Sequence, residues 1–121
     1  MNRTYAVLAL LAATLLAGCY YDVEEDLYPT LECNTQGVTF STTIQPILQD
    51  NCLSCHSNSL SSGNINLEGY SNLKIYVDNG RFLGAIKREA GFSPMPQNQP
   101  QLVECNIAKI EAWINAGAPN N

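Results

Sequence analysis

Two cysteines and a histidine form the most reactive pattern in the sequence, Cys52-Leu-Ser-Cys55-His56. Thiols three positions apart lie on one helical turn, where each can bond one of the two vinyl groups on the same edge of a haem. The adjacent imidazole can then reach the haem iron from one face. This spacing is that of c-type haem attachment. It predicts one covalent haem c held by Cys52 and Cys55, with His56 as an axial iron ligand.

Two other kinds of site use the same residue types. A thioredoxin-like redox pair would lie at the start of a helix that follows a strand, whereas Cys52 and Cys55 fall at the end of a predicted helix. A structural zinc site needs four ligands, and only a distant cysteine could complete the set. His56 is the only histidine of the chain, which weakens a third alternative, a histidine that is simply packed in the core.

A methionine between two prolines is the candidate for the second axial ligand. The chain has no second histidine, and Met1 lies in an apolar leader, so Met95 is the methionine that remains. It lies in Ser93-Pro-Met-Pro96, where the prolines restrict the conformations of the loop. A thioether ligand raises the reduction potential and closes the coordination of the iron, which favours electron transfer over oxygen or peroxide chemistry. The alternative is that Met95 fills a gap in the core.

Residues 1–18 predict a bacterial lipoprotein signal peptide. A short positive head precedes the apolar run of residues 5–17, which is shorter than the roughly 20 residues needed to span a bilayer. The sequence Leu16-Ala-Gly-Cys19 resembles a lipobox, which implies cleavage before Cys19 and lipid on its sulfur. We therefore expect a protein that is lipid-anchored at the bacterial cell envelope, on the periplasmic or cell-surface side. An ordinary signal peptide that ends near a cysteine is the alternative.

The negative charge of this 121-residue chain is concentrated near its N-terminus. The formal net charge is −5, which excludes a nucleic-acid binder with a basic surface. Residues 20–32 contain five acidic and no basic side chains, whereas residues 33–121 contain six acidic and five basic ones. We therefore expect a lipidated acidic tether over residues 19–38 and one folded domain over residues 39–121.

Four stretches have the apolar spacing of amphipathic helices. They are Phe40–Cys55, Tyr70–Val77, Arg81–Glu89 and Val103–Ile114. Ser41–Thr43 are candidate N-caps of the first helix, and Pro46 fits only in its first turn. Gly91 is the predicted stop of the third helix and Gly117 that of the fourth. Because strand-like alternation is weak, the sequence predicts an all-α domain of about four short helices. So small a domain has a thin core, which a cofactor or a crosslink can supplement.

These features together resemble the class I-type monohaem cytochromes c, and among them the small lipoprotein c-type cytochromes of bacteria. The resemblance covers nearly all of residues 40–121, through Ile44–Leu48, the Cys52–His56 motif, Gly63–Leu67, Ser93–Pro96 and Ile107–Pro119. It implies a cytochrome c-like fold in which the first and last helices cross and a covalent haem fills the pocket. It also implies axial ligation by His56 and Met95. Val103 departs from the expected pattern, because a capping Ser or Thr should precede the last helix.

The cysteine count leaves one pair without a role. Cys19 is assigned to lipid and the two motif cysteines to haem, so Cys33 and Cys105 remain. In an oxidising compartment these two should form a disulfide that fastens the segment before the first helix to the start of the last one. Two free buried thiols are the alternative.

Apolar and basic residues between the motif and Met95 are candidates to surround the haem. The apolar candidates that would exclude water are Leu67, Tyr70, Phe82, Ile86 and Phe92. Arg81 and Lys74 are candidates to lie near the haem propionates, although a solvated charge is the more ordinary role of each.

The sequence therefore predicts an electron carrier and not an enzyme, with redox proteins of the cell envelope as its partners and the membrane reached through the lipid anchor. A haem-based sensor or small-ligand-binding module, in which Met95 dissociates, is the first alternative. The second is an accessory haem domain of a larger oxidase or a peroxidase-like enzyme. No distal histidine and arginine pair supports the latter, since the chain has a single histidine.

Overall fold

The computed structural model describes residues 33–121 as a series of short helices. A π-helical turn, Phe40–Ile44, leads into α1 (Gln45–Asn51), which is followed by α2 (Leu53–His56), a 3₁₀ turn (Ser62–Asn64), α3 (Tyr70–Asp78), α4 (Arg81–Lys87) and α5 (Glu104–Asn115). Residues 33–121 contain no strand, so the prediction of an all-α domain is confirmed for them. None of their helices is long and apolar enough to cross a bilayer. The predicted signal peptide, Cys19 and the acidic residues 20–32 lie outside the described residues.

The first helical segment begins earlier than the sequence suggests. Thr39 is its N-cap, because Oγ1 of Thr39 accepts a hydrogen bond from the backbone N–H of Thr42 at 3.2 Å. The predicted cap among Ser41–Thr43 is therefore wrong. The N–H groups of Phe40 and of the next residue both donate to Asn121, at 2.8 Å each. Asn121 therefore accepts from two of the first N–H groups of the segment, which have no partner within the helix.

Cys52 interrupts the helix that the sequence predicts to run through both motif cysteines. Its φ of −126° and ψ of −42° are not helical, so α1 ends at Asn51 and α2 begins at Leu53. The carbonyl of Cys52 still accepts from the N–H groups of Cys55 and His56, at 3.1 and 2.9 Å. The motif is therefore held by a separate short turn. Pro46 lies in the first turn of α1, as its missing N–H requires.

Helix α4 ends before the predicted stop at Gly91. Arg88 follows its last residue in the left-handed conformation, with φ of 58°, and the N–H groups of Arg88 and Glu89 bond back to Ala85 and Gly84. This is the usual pattern by which a left-handed residue closes a helix. Here an arginine closes the helix three positions earlier than the glycine that the sequence favoured.

Trp113 of α5 is the centre of the core. Its side chain is fully buried, and Nε1 donates to the carbonyl of Pro119 at 2.9 Å. The ring centroid of Trp113 lies 6.0 Å from that of Phe40, so the last helix packs against the first helical segment. The buried side chains are Phe40, Ile44, Ile47, Leu48, Leu67, Leu73, Phe82, Ile86, Leu102, Ile110, Trp113 and Ala118.

Backbone groups and a crosslink fix the ends of α5 instead of a side-chain cap. Val103 offers no capping side chain, and its carbonyl accepts from the N–H of Asn106 at 2.9 Å. Gly117, with φ of 91°, closes the C-terminal end in a conformation that glycine adopts without strain. Cys105, in the first turn, forms a disulfide with Cys33. The structure thus contains the disulfide that the sequence predicted, and this disulfide fastens residues 33–38 to α5.

Candidate functional site

Four predicted site residues line a single cavity. Cys52, Cys55, His56 and Met95 all contribute to the walls of a space of about 970 Å³. That volume lies at the upper end of the range for small-molecule and cofactor pockets, about 300–1,000 Å³. Met95 follows His56 by 39 positions in the sequence, so the fold brings residues from two distant segments to the same space.

A backbone carbonyl holds the imidazole of His56. Its Nδ1 lies 3.1 Å from the carbonyl oxygen of Ile65, and because a carbonyl can only accept, the proton of the neutral ring is on Nδ1. The carbonyl of His56 in turn accepts from the N–H of Leu67 at 2.8 Å. The segment from Ile65 to Leu67 therefore fixes the histidine at two points. Nε2 is left as the nitrogen with a lone pair for a metal.

The two motif thiols differ in their surroundings. Cys52 is half-buried and Cys55 is exposed, and neither forms a disulfide. Burial raises the pKa of the Cys52 thiol to about 11, because a thiolate loses its hydration there. A thioredoxin-like nucleophile requires the opposite shift, towards a lower pKa. The environment of Cys52 therefore favours a neutral thiol over a reactive thiolate.

Helix α4 positions Met95. The backbone N–H of Met95 donates to the carbonyl of Ala85 at 3.0 Å, which fastens the Pro-Met-Pro loop to the C-terminal turn of that helix. The Met95 side chain is half-buried, and the Met95–Pro96 peptide bond is cis. Met95 is absent from the buried core. Its place at the wall of the cavity therefore differs from that of a residue that fills a gap in the core.

Comparison with known protein families, with curated proteins and with solved structures finds no match to this chain. Within residues 33–121, no three His, Cys, Asp or Glu side chains come together as a metal-binding cluster.

Four of the five predicted apolar wall residues line the cavity, namely Leu67, Phe82, Ile86 and Phe92. Tyr70 does not. Its ring packs edge-on against Phe40 with centroids 5.3 Å apart, and its hydroxyl donates to the carbonyl of Ala118 at 2.8 Å. The prediction for Tyr70 is therefore wrong, because the tyrosine is used to tie the C-terminal segment to the core.

The two basic candidates, Arg81 and Lys74, have different surroundings in the structure. Lys74 is paired with Asp78 one helical turn later and does not line the cavity, which agrees with the solvated charge given above as its more ordinary role. Arg81 lines the cavity, and its guanidinium carbon lies 5.7 Å from the ring centroid of Tyr76. Among the residues that line this cavity, Arg81 is the one with a positive charge. Tyr76 was missed by the sequence analysis, although its position five residues before Arg81 could have indicated a partner for that cation.

Amide and other polar side chains at the cavity were also missed. They are Asp50, Asn51, Ser54, Ser62, Ser93, Gln97, Gln99, Gln101 and Asn106. Three of the glutamines alternate with other residues in the loop that follows Met95. That pattern, and the position of Asp50 and Asn51 directly before Cys52, could have indicated a polar edge to the site.

Proposed function

We propose that this chain is an electron carrier that holds one haem covalently through Cys52 and Cys55, with His56 and Met95 as its axial ligands. The observation that carries the proposal is the placement of these four side chains, from two distant segments, on one cavity of about 970 Å³. A cavity of that size, lined by apolar and polar side chains together, is large enough for a cofactor.

The thiols can attach the cofactor without a redox partner. Cys52 and Cys55 would each hold the cofactor through a thioether, formed by adding the S–H bond across one vinyl group, and this addition neither gains nor loses electrons. The addition needs each cysteine as a free thiol, and neither Cys52 nor Cys55 forms a disulfide. When bound, the haem supplies one-electron chemistry at its iron.

The axial residues would set the reduction potential. His56 donates its Nδ1 proton to the carbonyl of Ile65, which orients the ring and increases the basicity of Nε2 as a ligand. Met95 would supply a thioether, which stabilises the reduced iron and leaves no coordination position open. A closed coordination sphere supports electron transfer and disfavours the sensor and oxidase alternatives.

The walls would keep water away from the reacting centre. Leu67, Phe82 and Ile86 are buried and line the cavity, and a dry shell tunes the potential and limits solvent access. Arg81 would pair with a haem propionate, because a guanidinium is suited to a carboxylate and none of the ion pairs within residues 33–121 includes Arg81.

The location and the partners rest on the leader sequence. Residues 1–19 favour a lipid-anchored protein of the cell envelope, and anchoring would concentrate the carrier near membrane redox proteins, which are the partners we propose. Residues 33–121 carry nearly balanced charges, which supports neither nucleic acid nor a strongly charged partner.

The first experiment measures haem content. We would express the full chain in a bacterium that matures c-type cytochromes and record a pyridine haemochrome spectrum and the intact mass. We expect one haem per chain that survives denaturation. The double variant Cys52→Ala/Cys55→Ala should lose it, whereas Cys33→Ser/Cys105→Ser is the matched control and should keep it. A colourless full-length chain would contradict the proposal.

The second experiment separates the carrier from the sensor. A carrier with Met95 bound should resist carbon monoxide in the reduced state, whereas a sensor should bind it readily. Rapid binding of carbon monoxide by the unmodified protein would favour the small-ligand alternative.

A further inference from the structure

The C-terminal turn of α4 is the anchor for the loop that carries Met95. The last carbonyl groups of a helix have no partner within the helix. In α4 the carbonyl of Ala85 accepts from the N–H of Met95 at 3.0 Å, and the carbonyl of Ile86 accepts from Nε2 of Gln101 at 2.9 Å. The end of the helix therefore binds residues 91–101, which we name the ligand loop, at two separate points.

Arg88 forms a third connection. Its Nη2 donates to the carbonyl of Gln99 at 2.6 Å, so the side chain spans from the end of α4 to the ligand loop. Arg88 has a φ of 58°, a left-handed conformation that is unfavourable for an arginine and is usually given to glycine at this position. An unfavourable backbone at a non-glycine residue indicates a use for its side chain, and the contact with Gln99 is such a use.

We propose that Arg88 and Gln101 are positioning residues for Met95. By holding the ligand loop on α4, they keep the thioether at the cavity and determine how readily it can be displaced. Arg88 does not line the cavity, so it acts only through the loop. The part of this inference that concerns an iron ligand rests on the proposed function, whereas the part that concerns loop closure does not.

Gln97 offers a matched control for Gln101. Both glutamines lie in the ligand loop and line the cavity, but the side-chain bond to α4 is made by Gln101. Gln97→Ala should therefore change the cavity edge and leave the loop attached, whereas Gln101→Ala should detach one end of it.

The first measurement is hydrogen exchange at the amide of Met95 in the full chain, with the buried Ile110 amide of α5 as the reporter of global unfolding. In Arg88→Gly and Gln101→Ala, we expect Met95 to exchange about three- to tenfold faster, which corresponds to the loss of one hydrogen bond. Ile110 should exchange no faster in Arg88→Gly, because glycine adopts the left-handed conformation of position 88 without strain and global stability is therefore kept. Arg88→Lys should recover part of the protection. An unchanged Met95 exchange rate in both variants would overturn the role in loop closure.

The second measurement is imidazole binding to the haem-loaded, oxidised protein. An external ligand must displace Met95, so its apparent affinity rises with the fraction of open loop. We expect the affinity to increase about three- to tenfold in Arg88→Gly and Gln101→Ala relative to the parent protein. Faster exchange with unchanged imidazole affinity would overturn the role in axial ligation. A chain without haem would overturn the proposed function, and the exchange experiment would still decide loop closure.

Discussion

Gly84 and Phe92 are in direct contact, and the contact leaves no room for a side chain at position 84. A β-carbon on Gly84 would lie 2.5 Å from Cδ2 and 2.8 Å from Cγ of Phe92. Gly84 is buried within α4, and Phe92 lies at the start of the ligand loop. The missing side chain therefore lets the loop approach the helix that fastens Met95.

Gly84→Ala should destabilise the protein by about 1–3 kcal/mol, because the ring of Phe92 must move to admit a methyl group. Urea denaturation would measure the loss. When Phe92 is already alanine, adding Gly84→Ala should cost much less stability, since the clash needs both side chains. A Gly84→Ala variant as stable as the parent would contradict the close contact.

Met95→Ala should lower the reduction potential of the haem-loaded protein by on the order of 0.1 V, because the thioether stabilises the reduced iron. It should also allow carbon monoxide to bind the reduced form. Redox titration and absorption spectra check both effects. Unchanged spectra and potential would remove Met95 from the site.

In the haem-loaded protein that we propose, Arg81→Gln should lower the reduction potential by roughly 20–50 mV, since a positive charge at the cavity would oppose the extra positive charge of oxidised iron. Lys74→Gln is the matched control, because Lys74 is paired with Asp78 away from the cavity. Redox titration at low and high salt compares the two variants. Equal shifts in both would contradict a specific role for Arg81.

The double variant Cys33→Ser/Cys105→Ser should lose about 2–4 kcal/mol of stability, because the bridge closes a loop with a sequence separation of 72 in the unfolded chain. Urea denaturation with and without reductant measures this. The parent protein with reductant should match the variant. No difference between oxidised and reduced parent protein would show that the bridge contributes nothing to folding.

Alkylation of Cys52 in chain produced without haem should depend steeply on pH. With a pKa of about 11, about one thiol in a thousand is ionised at pH 8, and the thiolate is the reactive form. The rate should therefore rise about tenfold per pH unit between pH 7 and 10. Iodoacetamide labelling followed by peptide mass spectrometry measures it, with the exposed Cys55 as an internal reference. A rate for Cys52 that is flat over this range would contradict its buried environment.

The candidate site residues that the sequence indicates depend on local pattern. The spacing of Cys52, Cys55 and His56, and the setting of Met95 between prolines, are visible without a fold, and the structure places all four on one cavity. The bounds of α3 and α5 were also predicted to within a residue or two, because their apolar periodicity is local.

The parts that failed depend on contacts between distant segments. The first helical segment begins at Phe40, whose N–H donates to Asn121, and Tyr70 packs in the core, where its hydroxyl donates to Ala118. The carbonyl of Ile65 that holds His56 carries no side-chain signature at all. Such hydrogen-bond partners are determined by tertiary packing, and the pattern of residue types along the chain does not identify them.

The bridge between Cys33 and Cys105 has a topological consequence. The segment that it closes contains all four of the residues that we propose to hold the cofactor, from Cys52 to Met95. A protease that cuts the backbone once anywhere inside this covalent ring would leave two fragments still joined. The nicked chain should therefore migrate as one species without reductant and keep its bound group, and it should separate only when the disulfide is broken.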